Sequence, residues 1–364
     1  MNRREFLKIL SGGLAGAMMG CGGGGAGADS PATPPVTSPN PPTSKSIKFG
    51  LGSDPERMID AYDPDGKRVL DTLKPDIVCM WVNGARDIWG RLYTPSMNYI
   101  VDWALKGRFY EWSQKGYELM IITWENYDGQ NPSLGIPTYG DWHISDLFLS
   151  DLEITLRYLR EQFKSKLYFA LATEQSTYTA CRYDRTCSNP LAYSDRINSI
   201  TEEYYSKLRE KLIEAIRLVK SYFPSAHVGM CFGGWLVEFE EGINFIRYFE
   251  PAIREGSAIF FQSMMEQKAS ETGGYGNPER ILKNAKFFSS YSKPLHLAHY
   301  MPNNKRADVV SDDAERMSNP EYLRELARYL SSFCFMDYGV LKNNEFNCLT
   351  NMAKLRESLK NIPM

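Results

Sequence analysis

Five side chains able to carry acid–base or nucleophilic chemistry close apolar runs of the chain: Glu125, Glu174, Glu266, His299 and Asp337. A pair of carboxylates can act as acid and base, or as acid and nucleophile, on a glycosidic bond. A histidine can move a proton near neutral pH. Around them stand rings and amides, at Trp81, Asn83, Trp124, Trp235, Gln262, Tyr300 and Tyr338. Aromatic rings stack on the apolar faces of sugars, and amides hydrogen-bond sugar hydroxyls. The set therefore points to carbohydrate chemistry, although rings are common throughout this chain and no single one carries that inference.

Strands must position these groups. Short apolar runs predict strands at Ile47–Ser53, Asp76–Asn83, Glu118–Glu125, Lys166–Glu174, His227–Trp235, Ala258–Met265, Pro294–Met301 and Phe333–Val340. Amphipathic stretches alternate with them, clearest at Ile200–Phe223 and Leu147–Phe163, with Glu345–Ile362 closing the chain. Eight evenly spaced repeats of strand and helix predict an α/β chain folded as a (β/α)8 TIM barrel, over residues 47–364. No Gly-x-Gly-x-x-Gly follows the first strand and no Gly-Lys-Ser/Thr occurs, so nucleotide-binding folds lose support. In a barrel of this kind chemistry collects at the C-terminal ends of the strands, where the polar groups above lie. Alternation then assigns sides. Tyr168, Ala170 and Ala172 share a side with Glu174; Leu295 and Leu297 share one with His299. His296 is expected on the opposite side, toward the helices, and Asp337 on the side of Phe333 and Phe335.

The N-terminus carries an address. Asn2-Arg3-Arg4-Glu5-Phe6-Leu7-Lys8 resembles the twin-arginine export signature, and Met18-Met19-Gly20-Cys21 resembles a bacterial lipobox with Met where Leu is usual. The apolar run between them is too short to span a bilayer. Together they imply export by the twin-arginine machinery and a lipid at Cys21 holding the protein to a bacterial membrane, on its periplasmic or outer side. Residues 22–46 are rich in Gly, then in Pro, Ser and Thr, and read as a flexible tether. Removing residues 1–20 takes away Arg3, Arg4, Lys8 and Glu5, a net +2, so the charge moves from −2 to −4. That mild acidity argues against nucleic acid as a partner. Cys181 and Cys187, close together in a polar stretch, suggest a disulfide in an oxidising compartment, with a metal site the weaker alternative. Cys79, Cys231, Cys334 and Cys348 lie in apolar segments and read as buried thiols.

The run Ile121-Ile122-Thr123-Trp124-Glu125 resembles the Trp-Glu strand end of the retaining β-mannanase and lichenase group of glycoside hydrolases. Glu174 falls where that group carries its acid/base glutamate. Lys293-Pro294-Leu295-His296-Leu297-Ala298-His299-Tyr300 resembles the group's seventh strand, with His299 in place of the nucleophilic Glu and Met301 in place of Gly. The resemblance implies a hydrolase acting on a polysaccharide or oligosaccharide, without a cofactor. A histidine cannot form the usual glycosyl ester, so three chemistries stay open. One is a rearranged hydrolase with Glu174 as acid and Asp337, Glu266 or Glu125 as base. The others are a non-catalytic glycan-binding barrel, and a lyase with His299 or Tyr300 as base. Scaffolding the assembly of a cell-envelope polysaccharide is a further class. A metal held by His299, Asp337 and Glu266 is a weaker option, and no metal is assigned.

Overall fold

The computed structural model of the chain describes residues 44–52, 54–60, 62–82, 97–123, 146–173, 196–199 and 201–364. After a two-residue strand β1 (Ser44–Lys45) come the parallel strands β2 (Lys48–Leu51), β3 (Ile77–Val82), β4 (Glu118–Thr123) and β5 (Leu167–Leu171). They are followed by β6 (His227–Phe232), β7 (Ile259–Ser263), β8 (Leu295–Tyr300) and β9 (Leu330–Phe335). Each pairs with the next, and β9 returns to pair with β2, so β2–β9 form a closed eight-stranded barrel. The expected (β/α)8 barrel is the fold observed.

Helices follow the strands on the outside. They are α1 (Pro55–Ile59) and α2 (Pro64–Leu73), α3 (Met97–Leu105) and α4 (Arg108–Gln114), α5 (Asp146–Gln162), and α6 (Glu202–Tyr222). Next come α7 (Glu240–Tyr248) and α8 (Glu250–Glu255), α9 (Asn277–Ser289), α10 (Ala307–Met317) and α11 (Pro320–Leu326), and α12 (Cys348–Lys360). Local chemistry starts several of them. Asp63 accepts a hydrogen bond from the Gly66 amide (3.0 Å) ahead of Pro64, a side-chain cap followed by a residue pre-set for the first helical position. In α6, Leu208, Leu212, Ile216 and Val219 recur at helical spacing and are all buried against the barrel. Each such side chain contributes about 1.5–3 kcal/mol of burial. Among the described residues no helix is long and apolar enough to cross a membrane.

Alternation along the strands separates two cores. Val78, Met80, Ile121, Phe169, Leu171, Phe261, Leu295 and Leu297 belong to the layer between strands and helices. Cys79, Met120, Ile122, Tyr168, Ala170, Cys231, Phe260, Ala298, Cys334 and Met336 fill the barrel interior. The four thiols at Cys79, Cys231, Cys334 and Cys348 are buried, as expected from their apolar segments.

Two strand readings need correction. The last strand starts three residues before the expected Phe333 and ends at Phe335, and Tyr338–Leu341 form a 3-10 turn. Ser331 and Ser332 break the apolar run, and Ser332 is inside because its hydroxyl pairs with the His296 ring (2.8 Å). In β8, the pairing with β7 steps from Phe261–Leu297 to Gln262–His299, leaving Ala298 as an extra residue. This bulge breaks the alternation that put Leu295 and Leu297 on the side of His299. His296 lies within the barrel and not toward the helices, while Leu295 and Leu297 face the helices and His299 turns inward.

The closed lower end of the barrel is polar. The His227 Nδ1 and His296 Nε2 atoms are 2.7 Å apart, and the Tyr168 hydroxyl donates to Glu118 (2.6 Å), which also pairs with Lys48. Burial, then the positive charge of Lys166, pushes His227 down to about 4. Burial and the neighbouring His227 push His296 well below the ordinary imidazole range. Both rings are neutral at pH 7, whereas an unfolded chain binds protons at about 6.5. Their stability contribution is present above about 6.5 and is lost as pH falls toward 4. His227→Asn is accordingly expected to flatten the fall in melting temperature between pH 6.5 and 4. An unaltered slope would remove this pair from the acid response.

Candidate functional site

The C-terminal mouth of the barrel gathers Trp81 from β3, Gln262 from β7 and His299 from β8. Trp81 and His299 face each other with ring centroids 6.0 Å apart. The β7–β8 register sets Gln262 beside His299. Gln262 and His299 are buried and Trp81 half-buried. Burial pushes His299 down to about 3, against a smaller upward pull from the negative Asp337. The imidazole is therefore neutral at neutral pH and too weak a base to drive a lyase reaction there. Neutral, it can donate a hydrogen bond from one ring nitrogen and accept at the other. The three groups are uncharged; Trp81 is the part-exposed one, while Gln262 and His299 lie buried beneath it, the Gln262 amide donating to the Met264 sulfur (3.4 Å).

Trp235 sits on the neighbouring rim, half-buried, with its ring against Gly233. The next residue, Gly234, runs so close to the Gln262 carbonyl that a side chain there would overlap it. The turn is fastened by Glu238, which takes two hydrogen bonds from Arg280 (2.8 and 2.9 Å) and one from the Tyr275 hydroxyl (2.7 Å). The position of Trp235 is thus coupled to that of Gln262.

Of the candidate carboxylates, the two among the described residues, Asp337 and Glu266, are both engaged by neighbouring side chains. Asp337 leaves β9 in a left-handed conformation (φ 77°) and not along the side of Phe333 and Phe335. One oxygen accepts from the Gly339 amide (3.0 Å) and the other pairs with Lys305 (2.6 Å). That pairing answers the cost of a carboxylate at the end of an apolar strand, and sequence reading missed Lys305 entirely. Glu266 lies beyond the end of β7, with the Asn303 amide donating to it (2.8 Å). Among the described residues, His299, Asp337 and Glu266 do not gather into a group able to hold a metal.

Tyr300 and Tyr338 are not mouth residues. The bulge that turns His299 inward turns Tyr300 outward, where it is fully buried and its hydroxyl donates to Asp313 (2.8 Å). Tyr338 is buried with its ring against Gly66, and its hydroxyl donates to Asp63 (3.1 Å), the cap of α2. Asn83, Trp124, Glu125, Glu174, Cys21 and the Cys181–Cys187 pair lie outside the described residues. The strand leading to Glu174 does place Tyr168 and Ala170 inside the barrel. Ala172, however, adopts a positive φ of 58°, so alternation cannot be carried through it to Glu174. Thr123 ties this turn to β4, accepting from the Ala172 amide at its hydroxyl (3.1 Å) and from the Thr173 amide at its carbonyl (2.9 Å).

No protein-family model and no curated protein matches the chain. Solved structures do. A modular family 26 endo-β-1,4-mannanase from Cellulomonas fimi is similar at 11% identity, over 83% of this chain and 70% of that one, with a TM-score of 0.53. A β-1,4-mannanase from the sea hare Aplysia kurodai is similar at 11% identity, over 88% of this chain and 96% of that one, with a TM-score of 0.50. At such identity the likeness is one of fold, the (β/α)8 barrel.

Proposed function

We propose that the protein is an exported glycoside hydrolase-like barrel that cleaves a polysaccharide, with Glu174 as general acid. The observation that carries the reading is the mouth itself. Half-buried Trp81, backed by the buried and uncharged Gln262 and His299, gives an uncharged, partly aromatic lining to the end of the barrel where enzymes of this fold do chemistry. The folds of the mannanases above support the same reading. Asp337 is engaged by Lys305 and Glu266 by Asn303. Glu125, which follows β4 by two residues, is then the favoured partner for Glu174. With a histidine where a nucleophile is needed, the pair works by inversion, Glu125 activating water while Glu174 protonates the leaving oxygen. Export through the twin-arginine route, a lipid at Cys21 and a tether over residues 22–46 belong to the same proposal. They place the barrel where such polymers occur.

A second reading, a barrel that binds glycan without cleaving it, is favoured by one observation. The neutral, buried His299, on β8, the seventh strand of the barrel, puts there a group that cannot form a glycosyl ester. A panel of β-glucans, mannans and bacterial exopolysaccharides separates the two. Cleavage releases new reducing ends; binding alone retards the protein on immobilised glycan and releases none. In either case Trp81→Ala is expected to weaken retention about tenfold, the loss of roughly 1.4 kcal/mol of stacking. Unchanged retention would remove Trp81 from the binding surface.

A further inference from the structure

Behind the mouth, on the helical side of β7 and β8, lies a connected set of polar groups with almost no exposure. Asn277, at the start of α9, uses the full capacity of its amide. Its oxygen accepts from the Ser263 hydroxyl (2.7 Å) and the Met265 amide (2.8 Å). Its nitrogen donates to the Met265 carbonyl (3.1 Å) and to Asp313 on α10 (2.8 Å). Tyr300 donates to the same Asp313 oxygen, Oδ2. Among the described residues the other oxygen, Oδ1, accepts no hydrogen bond. Ser263, Asn277, Tyr300 and Asp313 are all at most 1% exposed.

We propose that Asp313 is a positioning residue, which through Tyr300 and Asn277 holds the bulged end of β8 and the end of β7 and so fixes where His299 and Gln262 stand at the mouth. The covalent route is one residue long on each side. Tyr300 follows His299, and Ser263, gripped by Asn277, follows Gln262. The ladder resumes beyond the bulge, Tyr300 pairing with Ser263 and with Phe335, and the Tyr300 hydroxyl adds a side-chain anchor at the point where the register has shifted. A carboxylate with one oxygen unsatisfied in full burial is an expensive restraint. An apolar or amide side chain would hold α10 against β8 more cheaply, so the acid has a use beyond stability.

That use is a response to pH. Burial outweighs the hydrogen bonds from Asn277 and Tyr300 and raises Asp313 to about 7. The charged and titratable groups around it are Asp312 and Arg316 on α10, Tyr300 on β8, Tyr322 on α11 and Glu279 on α9. Arg316 is itself paired with Glu279. Ionised, Asp313 draws the Tyr300 and Asn277 donors into charge-assisted bonds, which are shorter than neutral ones. Protonated, it relaxes them. Because the folded value is raised, the stabilising form is the protonated one, complete below about 3.8 and lost as pH rises through 7.

The test is the imidazole spectrum of His299 in nitrogen-15-labelled protein, assigned by its disappearance in His299→Gln, followed from pH 5 to 8 without glycan. Because His299 stays neutral over that range, movement of its signals with a midpoint near 7 reports Asp313. Asp313→Asn is expected to abolish the midpoint, and Tyr300→Phe to shrink the movement while the acid still titrates. Asp337, which also faces His299, is untouched by both changes. The absence of any midpoint near 7 in the unaltered protein overturns the proposal. So does its persistence in Asp313→Asn, or a variant that only melts earlier with His299 signals unmoved. The functional consequence rests on the mouth being the glycan site, but the spectrum needs no sugar. A barrel that bound no glycan would leave the positioning role standing.

Discussion

Glu174→Gln is expected to lower the release of reducing ends by about 10²–10⁴-fold, the usual contribution of a positioned general acid. Glutamine keeps the shape and hydrogen-bonding reach of glutamate but has no proton to give to the leaving oxygen. Retention on glycan should therefore survive while turnover is lost, and the effect should fall on kcat more than on KM. Glu125→Gln is expected to match it if Glu125 activates the water. Asp337→Asn is expected to do little to the chemical step, because its oxygens already serve Lys305 and the Gly339 amide. Full activity in Glu174→Gln would remove Glu174 as the acid. A larger loss in Asp337→Asn than in Glu125→Gln would transfer the base to Asp337.

The largest loss of stability is expected from adding one methyl group at Gly229. This residue lies in β6 and pairs with Ala170 on one side. On the other, a Cβ would overlap the carbonyl oxygen of Ala258 and stand 3.1 Å from its carbonyl carbon. The obstacle is backbone, and the same stretch is bonded to β6 through the Ser257 and Ala258 amides, both donating to the Val228 carbonyl (2.9 and 3.2 Å). Relief means parting β6 from β7 in a closed barrel. Gly229→Ala should cost about 3 kcal/mol, the upper end of ordinary overpacking. Gly50 provides the contrast. Its Cβ would overlap the Cys334 thiol, the end of a side chain. Gly50→Ala should therefore be partly rescued by Cys334→Ala, the Cys334 Cβ (3.0 Å) and the Cys79 thiol (3.1 Å) staying close, whereas trimming Phe260 should not rescue Gly229→Ala. Denaturant midpoints of the two pairs decide this. Rescue in both would show that β6 and β7 can part cheaply.

The barrel was legible because its evidence is repeated. Each strand is a short apolar run, each helix a longer amphipathic one, and a few residues of error at any boundary leaves the count unchanged. The mouth was legible in outline for the same reason, since Trp81, Gln262 and His299 close their runs. What stayed hidden depends on single residues. Ala298 reads in the pattern as an ordinary strand residue, yet as the extra residue of a bulge it decides that His299 faces inward and Tyr300 outward. Ser331 and Ser332 disguised the start of β9 because a polar residue inside a barrel makes sense only beside its partner, His296. Asn277 and Asp313 gave no signal at all. They stand 36 residues apart, and nothing local says that a helix start and a helix interior meet behind a strand end.

The antiparallel pair of β1 with the last, two-residue strand β10 (Ile362–Pro363) has a practical meaning. Ser44 meets Pro363 and Lys45 meets Ile362, so the two termini of the barrel leave side by side. They do so next to the starts of the strands, opposite the mouth: the Ile47 amide donates to the Leu359 carbonyl, and Lys45 reaches the Ala327 carbonyl just ahead of β9. A tag, a bead or a display scaffold joined directly at Ser44 or at Pro363 would grip the molecule by its base. The opening would then face outward, presented to long chains sweeping past, whichever end had been chosen for attachment.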